Sequence, residues 1–472
     1  MAGFPLLIPA QSLSVTALLS YVVFLIVCCV AGLIAAKTLG RRFIVGAGLA
    51  TSLLAASWFQ VSLGDAPLSV QSTMAALVMI AFCLHSGKAI WSPLTLLDVL
   101  VASLVTWNVV CDSFHDGFQP ALPFIAYGEW ALPYVTGRFA VMHGESISKL
   151  APWFAMIGVV ISAAAIFESV TGTNLWESIF VPVDDLVRTN RAKRYDFLYR
   201  ALGPTRHPIF LSVVLMLLAP WTIGWAESAV GRSERLWGIG SLVALLAGVA
   251  STISRGPAAA CVIGFAFFGA VLHRGIRYVV VLVVVLGSVA AFVGRDSILR
   301  VLETGGESRR TIVEYEGEKV IYSGTRNRLF VVKIYAPLVW RSGAFGYGTQ
   351  ATDSFPPNIP GLPTDPRSRD RLGVVDNAYL NVGLRLGVVG LAIFTGMILL
   401  AIVRCLRLQS VASTTLYPAG GLFVSALAAT LVAVGIEIST VFLSYDYAFW
   451  LLLTLGVVAG VDARSKQVLA AG

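Results

Sequence analysis

The chain is 472 residues long, 57% hydrophobic and only 13% charged, against about 25% charged residues in soluble proteins. With a mean hydropathy of +0.80, it is not a cytosolic globular enzyme, a disordered tail or a secreted disulfide scaffold. The formal net charge is +8, from 34 basic and 26 acidic residues, so the placement of the cations needs a reason.

A membrane-spanning helix takes about 20 apolar residues. Runs of that kind fall at 13–36, 43–63, 69–87, 93–111, 119–136, 150–170, 208–226, 236–253, 257–272, 277–293, 378–403, 416–435 and 444–461. The run at 119–136 is the weakest, since it holds Pro120, Pro123, Glu129 and Pro133. The six cysteines lie in or beside apolar runs without CxxC or zinc-ligand spacing, and read as packing residues. The first 36 residues contain no Lys or Arg, so no cleavable signal peptide is expected.

Orientation follows from Lys and Arg in short loops. Lys37, Arg41, Arg42, Lys88, Arg138, Lys149, Arg232, Arg235, Arg274, Arg277, Arg404, Arg407, Arg464 and Lys466 all fall on one face if the N-terminus is outside and the C-terminus cytoplasmic. The expectation is an all-α polytopic integral membrane protein of about 12–13 transmembrane helices. A large periplasmic loop separates the tenth and eleventh spans. The chain divides into a bundle over 1–293 (with an outer loop at 171–207), a cap loop over 294–374 and C-terminal transmembrane helices over 375–472.

The remaining twenty cations lie on the outer side or at membrane depth. Six are in loop 171–207 and twelve in loop 294–374; Arg255 sits at a helix end and Arg385 inside a span. A charge at membrane depth is costly and usually marks function. Loop 171–207 ends in Arg200-Ala-Leu-Gly-Pro-Thr-Arg-His-Pro208, a Gly-Pro turn between two arginines at a helix mouth. In loop 294–374, Ile312 to Tyr322 reads as a hairpin around Glu316-Gly317, Asn327 to Tyr335 as a short interfacial helix, and Gly343 to Gly348 as a flexible turn.

The chain has no Walker A, GxSxG, HExxH or DxD motif. No metal, cofactor or nucleic-acid partner is expected. What remains is a set of arginines at the outer surface: Arg200, Arg206, Arg255, Arg328 and the intramembrane Arg385. Guanidinium groups bind phosphate oxygens bidentately and stay charged, and a lipid pyrophosphate is an anion held at this depth. If a sugar is transferred from such a lipid, arginines can neutralise the leaving group. Candidates for the base are Asp376, His207 and Glu437, with an N-cap as the alternative role for the Asp376-Asn377 pair.

Four motifs then stand in order. They are Arg200…Gly203…His207-Pro208, Ser254-Arg255-Gly256, Arg326-Asn-Arg328 leading through Pro337 to Gly343…Gly346-Tyr-Gly348, and Asp376-Asn-Ala-Tyr-Leu followed by Gly383, Gly387 and Gly390. Together they resemble the O-antigen ligase/polymerase superfamily of bacterial envelope glycosyltransferases, most clearly over 195–400. The resemblance implies a metal-independent transferase in the bacterial inner membrane. Such an enzyme takes a glycan from an undecaprenyl-pyrophosphate carrier at the periplasmic face and moves it to a glycan or lipid acceptor. It makes Arg255 and Arg200 the pyrophosphate-binding arginines, adds Arg206 and Arg328 to them, makes Asp376, Arg255 and His207 the catalytic set, and gives Asn377, Tyr379 and Arg385 supporting roles. Ligases of the family carry His-Asn where this chain has Asp376-Asn377. That departure favours a repeat-unit polymerase of an exopolysaccharide or O-antigen over a ligase acting on lipopolysaccharide lipid A-core. A lipid-linked-oligosaccharide flippase is the alternative from another class. Membrane lipids and other polysaccharide-assembly proteins are the expected partners.

Overall fold

A computed structural model of the protein describes residues 15–39, 44–63, 66–86, 93–142, 146–180, 193–195, 198–273, 275–282, 311–315, 318–322, 325–354, 356–362, 375–411 and 421–471. Among these, eight helices are long and apolar enough to cross a bilayer, and two further apolar helices are shorter. The protein is an all-α polytopic membrane protein, and its described strands form three two-stranded ladders.

The first described elements are α1 (Val15–Leu39) and α2 (Ile44–Ser52). The run at 43–63 reads as a span, but the helix stops at Ser52 and gives way to hairpin β1 (Gln60–Leu63) and β2 (Ala66–Ser69). The cause is tertiary. Ser57 donates its backbone N–H to Pro204 O (2.7 Å) and its hydroxyl to Asp446, which draws the chain out of the helix.

Next come α3 (Val70–Ser86) and α4 (Leu96–Asp116), the latter started by a reciprocal Thr95/Asp98 capping box. The weak run at 119–136 is a broken helix: α5 (Leu122–Ala126), a π-helical turn (Tyr127–Ala131) and α6 (Leu132–Ala140). Prolines occupy the first turn of α5 and of α6, where a missing N–H costs least.

The chain continues through α7 (Ser146–Thr171), α8 (Leu175–Ile179), the short strands β3 (Lys193–Tyr195) and β4 (Leu198–Tyr199), α9 (Pro208–Ser228), α10 (Arg232–Ser251) and α11 (Arg255–Leu272). The expected span at 277–293 is helical over 275–282, and its remainder lies outside the described residues. In the cap, β5 (Thr311–Tyr315) and β6 (Glu318–Tyr322) pair antiparallel around 316–317, matching the hairpin read from the sequence. α12 (Thr325–Arg341) is twice the length read for it and continues through Pro337. α13 (Gly348–Thr352), α14 (Ala378–Val411), α15 (Gly421–Glu437) and α16 (Tyr445–Ala471) complete the fold.

The centre of the bundle is α9, α15 and α16, whose surfaces are mostly buried. α6 lies so close to α16 that a side chain at Gly137, Gly456 or Gly460 would collide with backbone. α1, α10 and α11 form the rim, with Val22, Ile26, Leu236, Val243 and Val262 exposed, as a lipid-facing surface requires.

The glycine-rich turn of the cap is a fitted joint, not a flexible link. α14 is kinked at Gly387 (φ +68°), and the turn docks into the kink through Gly346 (φ +72°). Tyr347 N donates to Leu384 O (2.7 Å) and Val388 N to Gly343 O (3.0 Å). Trp107 Nε1 satisfies the freed Leu386 carbonyl at 2.9 Å. A Cβ at Gly387 would overlap the Ala344 carbonyl.

Gly387→Ala therefore combines a positive-φ, extended-ψ backbone (φ 68°, ψ −171°) that essentially only glycine adopts with a backbone clash, and should cost at least about 1–3 kcal/mol. Thermal unfolding in detergent checks this, with Gly396→Ala on the same helix as control because its Cβ would enter open space. Equal midpoints for the two variants would refute the joint.

Candidate functional site

One end of the bundle is tied together by polar contacts across helix ends. The 200–207 loop is its hub. Gly203 takes a positive φ (+55°) and donates its N–H to the buried Glu168 carboxylate at 2.8 Å, while Asn174 Nδ2 donates to the same carboxylate at 3.0 Å. Ala201 N donates to Ser251 O (3.2 Å) at the end of α10. Arg206 donates to the fully buried Asp446 of α16 from its backbone N (2.8 Å) and from Nε (3.1 Å), and its Nη2 lies 3.0 Å from the same carboxylate. The ends of α7, α9, α10 and α16 thus meet.

The turn from α10 to α11 sits against this loop. Ile253 is the one non-glycine residue with positive φ (+49°) among the described residues. For a β-branched residue this is a strained conformation, of the kind that persists when its surroundings enforce it. Ser254 follows. Its hydroxyl accepts from Arg200 Nη2 (2.9 Å) and donates to Thr252 O (3.1 Å), so it does not cap α11. Arg200 Nε also donates to Thr252 O (3.4 Å). Arg255, the first residue of α11, is exposed and has no hydrogen bond or ion pair among the described residues. Beside it, the buried Glu437 carboxylate lies against Gly256, where a Cβ would come within 2.9 Å of Oε1 and 3.0 Å of Oε2.

The start of α14 arrives at the same place. Asn377 caps the helix, its Oδ1 accepting from Leu380 N (3.0 Å), and its Nδ2 donates to Ser439 O (2.8 Å) just after α15. Tyr379 OH donates to Gly435 O (2.8 Å). Asn377 therefore takes the capping role and anchors α14 to α15, which leaves the half-buried Asp376 outside that role. Arg200, Arg255, Asp376 and Asn377 are brought to one end, with Glu437 among them.

Other residues named from the sequence have different placements. His207 caps α9, its Nδ1 accepting from Ile209 N (3.2 Å), with its ring against Phe210. The side chain of Arg328 lies outside the described residues. Arg385 belongs to a second cluster under the cap joint. Its Nη1 and Nη2 donate to Glu129 (2.7 and 2.8 Å), its Nε donates to Thr349 Oγ1 (2.7 Å), and a second Nη2 bond reaches Asn108 Oδ1 (2.9 Å). The buried Asp112 accepts from Thr349 N (2.8 Å), Thr349 Oγ1 (2.9 Å) and Asn108 Nδ2 (2.6 Å). Asp353 is buried beside them, and desolvation with the neighbouring carboxylates pushes its pKa from 3.8 up to about 8, against the pull of Arg385.

Asp446, Glu168, Asp112 and Asp353 were not singled out by sequence reasoning. For Asp446, Glu168 and Asp112 the signal was an acidic residue in or next to an apolar run, the same signal that drew attention to Arg385; Asp353, inside the cap loop, had none.

The helical bundle is that of an integral membrane protein, with Arg255 exposed at one helix mouth and without an ion pair among the described residues. Residues 240–395, about a third of the chain, match the family model described as O-antigen ligase. No curated protein is a significant match to the chain. The match takes in Ser254-Arg255-Gly256, the glycine joint and Asp376 to Gly390, and begins after the 200–207 loop.

Two stability outcomes are expected from the second cluster. Arg385→Met strands Glu129 and Asp112 and should cost about 3–5 kcal/mol, read as a fall in thermal midpoint. Asp353 binds its proton more tightly folded than unfolded, so its charging erodes stability as pH rises from about 4 to about 8. Asp353→Asn should flatten that slope and stabilise the protein above pH 8; an unchanged pH profile of the midpoint would contradict the assignment.

Proposed function

We propose that the protein polymerises undecaprenyl-pyrophosphate-linked oligosaccharide repeat units into a surface polysaccharide, an exopolysaccharide or O-antigen, at the periplasmic face. The observation that carries this reading is Arg255. It is exposed, unpaired among the described residues, and placed at the first turn of a helix whose own N–H groups also favour an anion. Arg200 is held next to it through Ser254. A pyrophosphate bound there meets two guanidinium groups and a helix terminus. The segregation of basic short loops supports the orientation of this end toward the periplasm.

In the transfer, the acceptor hydroxyl oxygen bonds to the anomeric carbon of the donor sugar. The bond from that carbon to the pyrophosphate oxygen breaks, and its electron pair leaves with the lipid pyrophosphate. The hydroxyl proton passes to the Asp376 carboxylate. Arg255 and Arg200 neutralise the charge that grows on the leaving oxygen, a contribution of about 3–4 kcal/mol for a preorganised donor. No metal is called on.

On this reading the set drawn from the resemblance contracts. Arg206 and Arg385 commit their guanidinium groups to Asp446 and Glu129, and His207 commits Nδ1 to the start of α9. They hold the frame. Arg328 is a pyrophosphate ligand on the resemblance alone. A ligase that delivers the glycan to lipid A-core is the second reading, favoured by the description of the matched family itself.

Arg255→Ala and Arg255→Lys should both abolish long-chain product, while insertion and thermal midpoint stay unchanged because no hydrogen bond or ion pair among the described residues is lost. Asp376→Asn should lower the rate by about 10²-fold or more, as loss of a general base does, and Asp376→His by less. Electrophoresis of extracted glycan reads both, and normal chain length from either Arg255 variant sinks the site. In a deletion strain, single repeat units identify a polymerase; carrier-bound long chains that never reach lipid A-core identify a ligase.

A further inference from the structure

An apolar furrow opens on the side of the bundle, floored by α9 and α15 and walled by α10 and α11. α10 and α11 follow each other in the chain yet hardly touch. α10 packs on α7 and α9, and α11 on α15, which leaves a lateral cleft between them. The cleft is lined by Met216, Leu246, Val249, Gly264, Phe265 and Ala433, among others. Small residues set its depth: a Cβ at Gly264 would lie 3.0 Å from Ala433 Cβ. Its one hydroxyl, on Thr430, donates to Met216 O (3.5 Å) and so offers a ligand no free donor. The chemistry admits an alkyl or alkenyl chain and nothing polar.

The furrow shares α11 with Arg255. Cys261, at its near end, is six residues from Arg255, about 9 Å along the axis, and Phe268, at its far end, about 20 Å, at 1.5 Å rise per residue. An extended isoprene unit, four carbon–carbon bonds of ~1.5 Å, covers roughly 5 Å. Two units bring a chain from an anion on Arg255 to the furrow, and the next two lie in it. One cationic head and one apolar channel on the same helix match a single-chain anionic amphiphile.

We propose that this furrow holds the isoprenoid chain of the donor carrier, and that it makes the protein select carriers by chain length. The inference rests on the reading of the donor as a polyprenyl pyrophosphate. A bilayer is as apolar as the furrow, so the preference comes from close packing and shape, not from hydrophobic transfer, and is about fivefold in size.

The full-length protein, with a photo-crosslinking benzoylphenylalanine at the exposed Phe265, is placed in vesicles of phosphatidylethanolamine and phosphatidylglycerol containing undecaprenyl pyrophosphate. The expected adduct carries the mass of the polyprenyl chain and falls at least about fivefold when Arg255→Ala is added. Adducts of phospholipid alone, or polyprenyl adducts insensitive to Arg255→Ala, overturn the proposal. Turnover supplies the second measurement. Wild type should use donors on long carriers about fivefold better than donors on two-isoprene carriers, and Ala433→Phe, which fills the furrow, should remove the difference. Equal use of both carriers by wild type overturns the furrow while leaving the donor class intact. Failure of wild type to use a polyprenyl donor of any length overturns the proposed function instead. If Ala433→Phe does not fold, the crosslink decides alone.

Discussion

The bond network between Arg206 and Asp446 is the contact on which the charged end of the bundle depends. A carboxylate with no exposed surface receives the backbone N–H and the guanidinium of a residue 240 positions away. Ser57 joins the same carboxylate, and its pull on the chain ends α2 early and turns 60–69 into a hairpin. Breaking such a pair by removing one partner strands a buried charge, at about 3–5 kcal/mol. With the pair in place, the 200–207 loop is fixed, Ala201 is docked on Ser251, and Arg200 can reach the turn that presents Arg255.

This distinguishes two kinds of arginine at similar depth. Arg206 and Arg385 are each met by a carboxylate supplied from another part of the fold. Arg255 is met by none among the described residues, although Glu437 stands one residue away against Gly256. Among the described residues, the arginines that hold the bundle together are met by carboxylates and Arg255 is left exposed. Ile253, strained in the left-handed region, is how the turn aims it.

Local chemistry made much of this visible in advance. The apolar runs located most helices, since a run of that length has few alternatives to helix in lipid. Turn residues located the 312–322 hairpin and the Gly203 turn. The ordered motifs located the α10–α11 turn and the start of α14. What stayed hidden was every feature set by a distant partner. Nothing near Arg385 in the chain announces Glu129, 256 residues away. Nothing near residue 57 announces that the helix through 43–63 is cut short by Asp446. Gly343 to Gly348 read as flexible because glycine permits many conformations; its partner Gly387 selects one of them. A charge inside an apolar run signals that a partner exists, but the partner's identity belongs to the assembled bundle.

The position of Asp446 has a consequence for biogenesis. The loop that carries Arg200 and Arg206 reaches the membrane during synthesis long before α16 does, and its arginine has to wait for its counter-ion. Until α16 inserts, the site lacks the contact that orders it, and a basic loop stands unmatched at the bilayer surface. A chain interrupted before residue 446 would retain most of its spans and still lack a formed site. Completion of the bundle and ordering of this end are thereby one event.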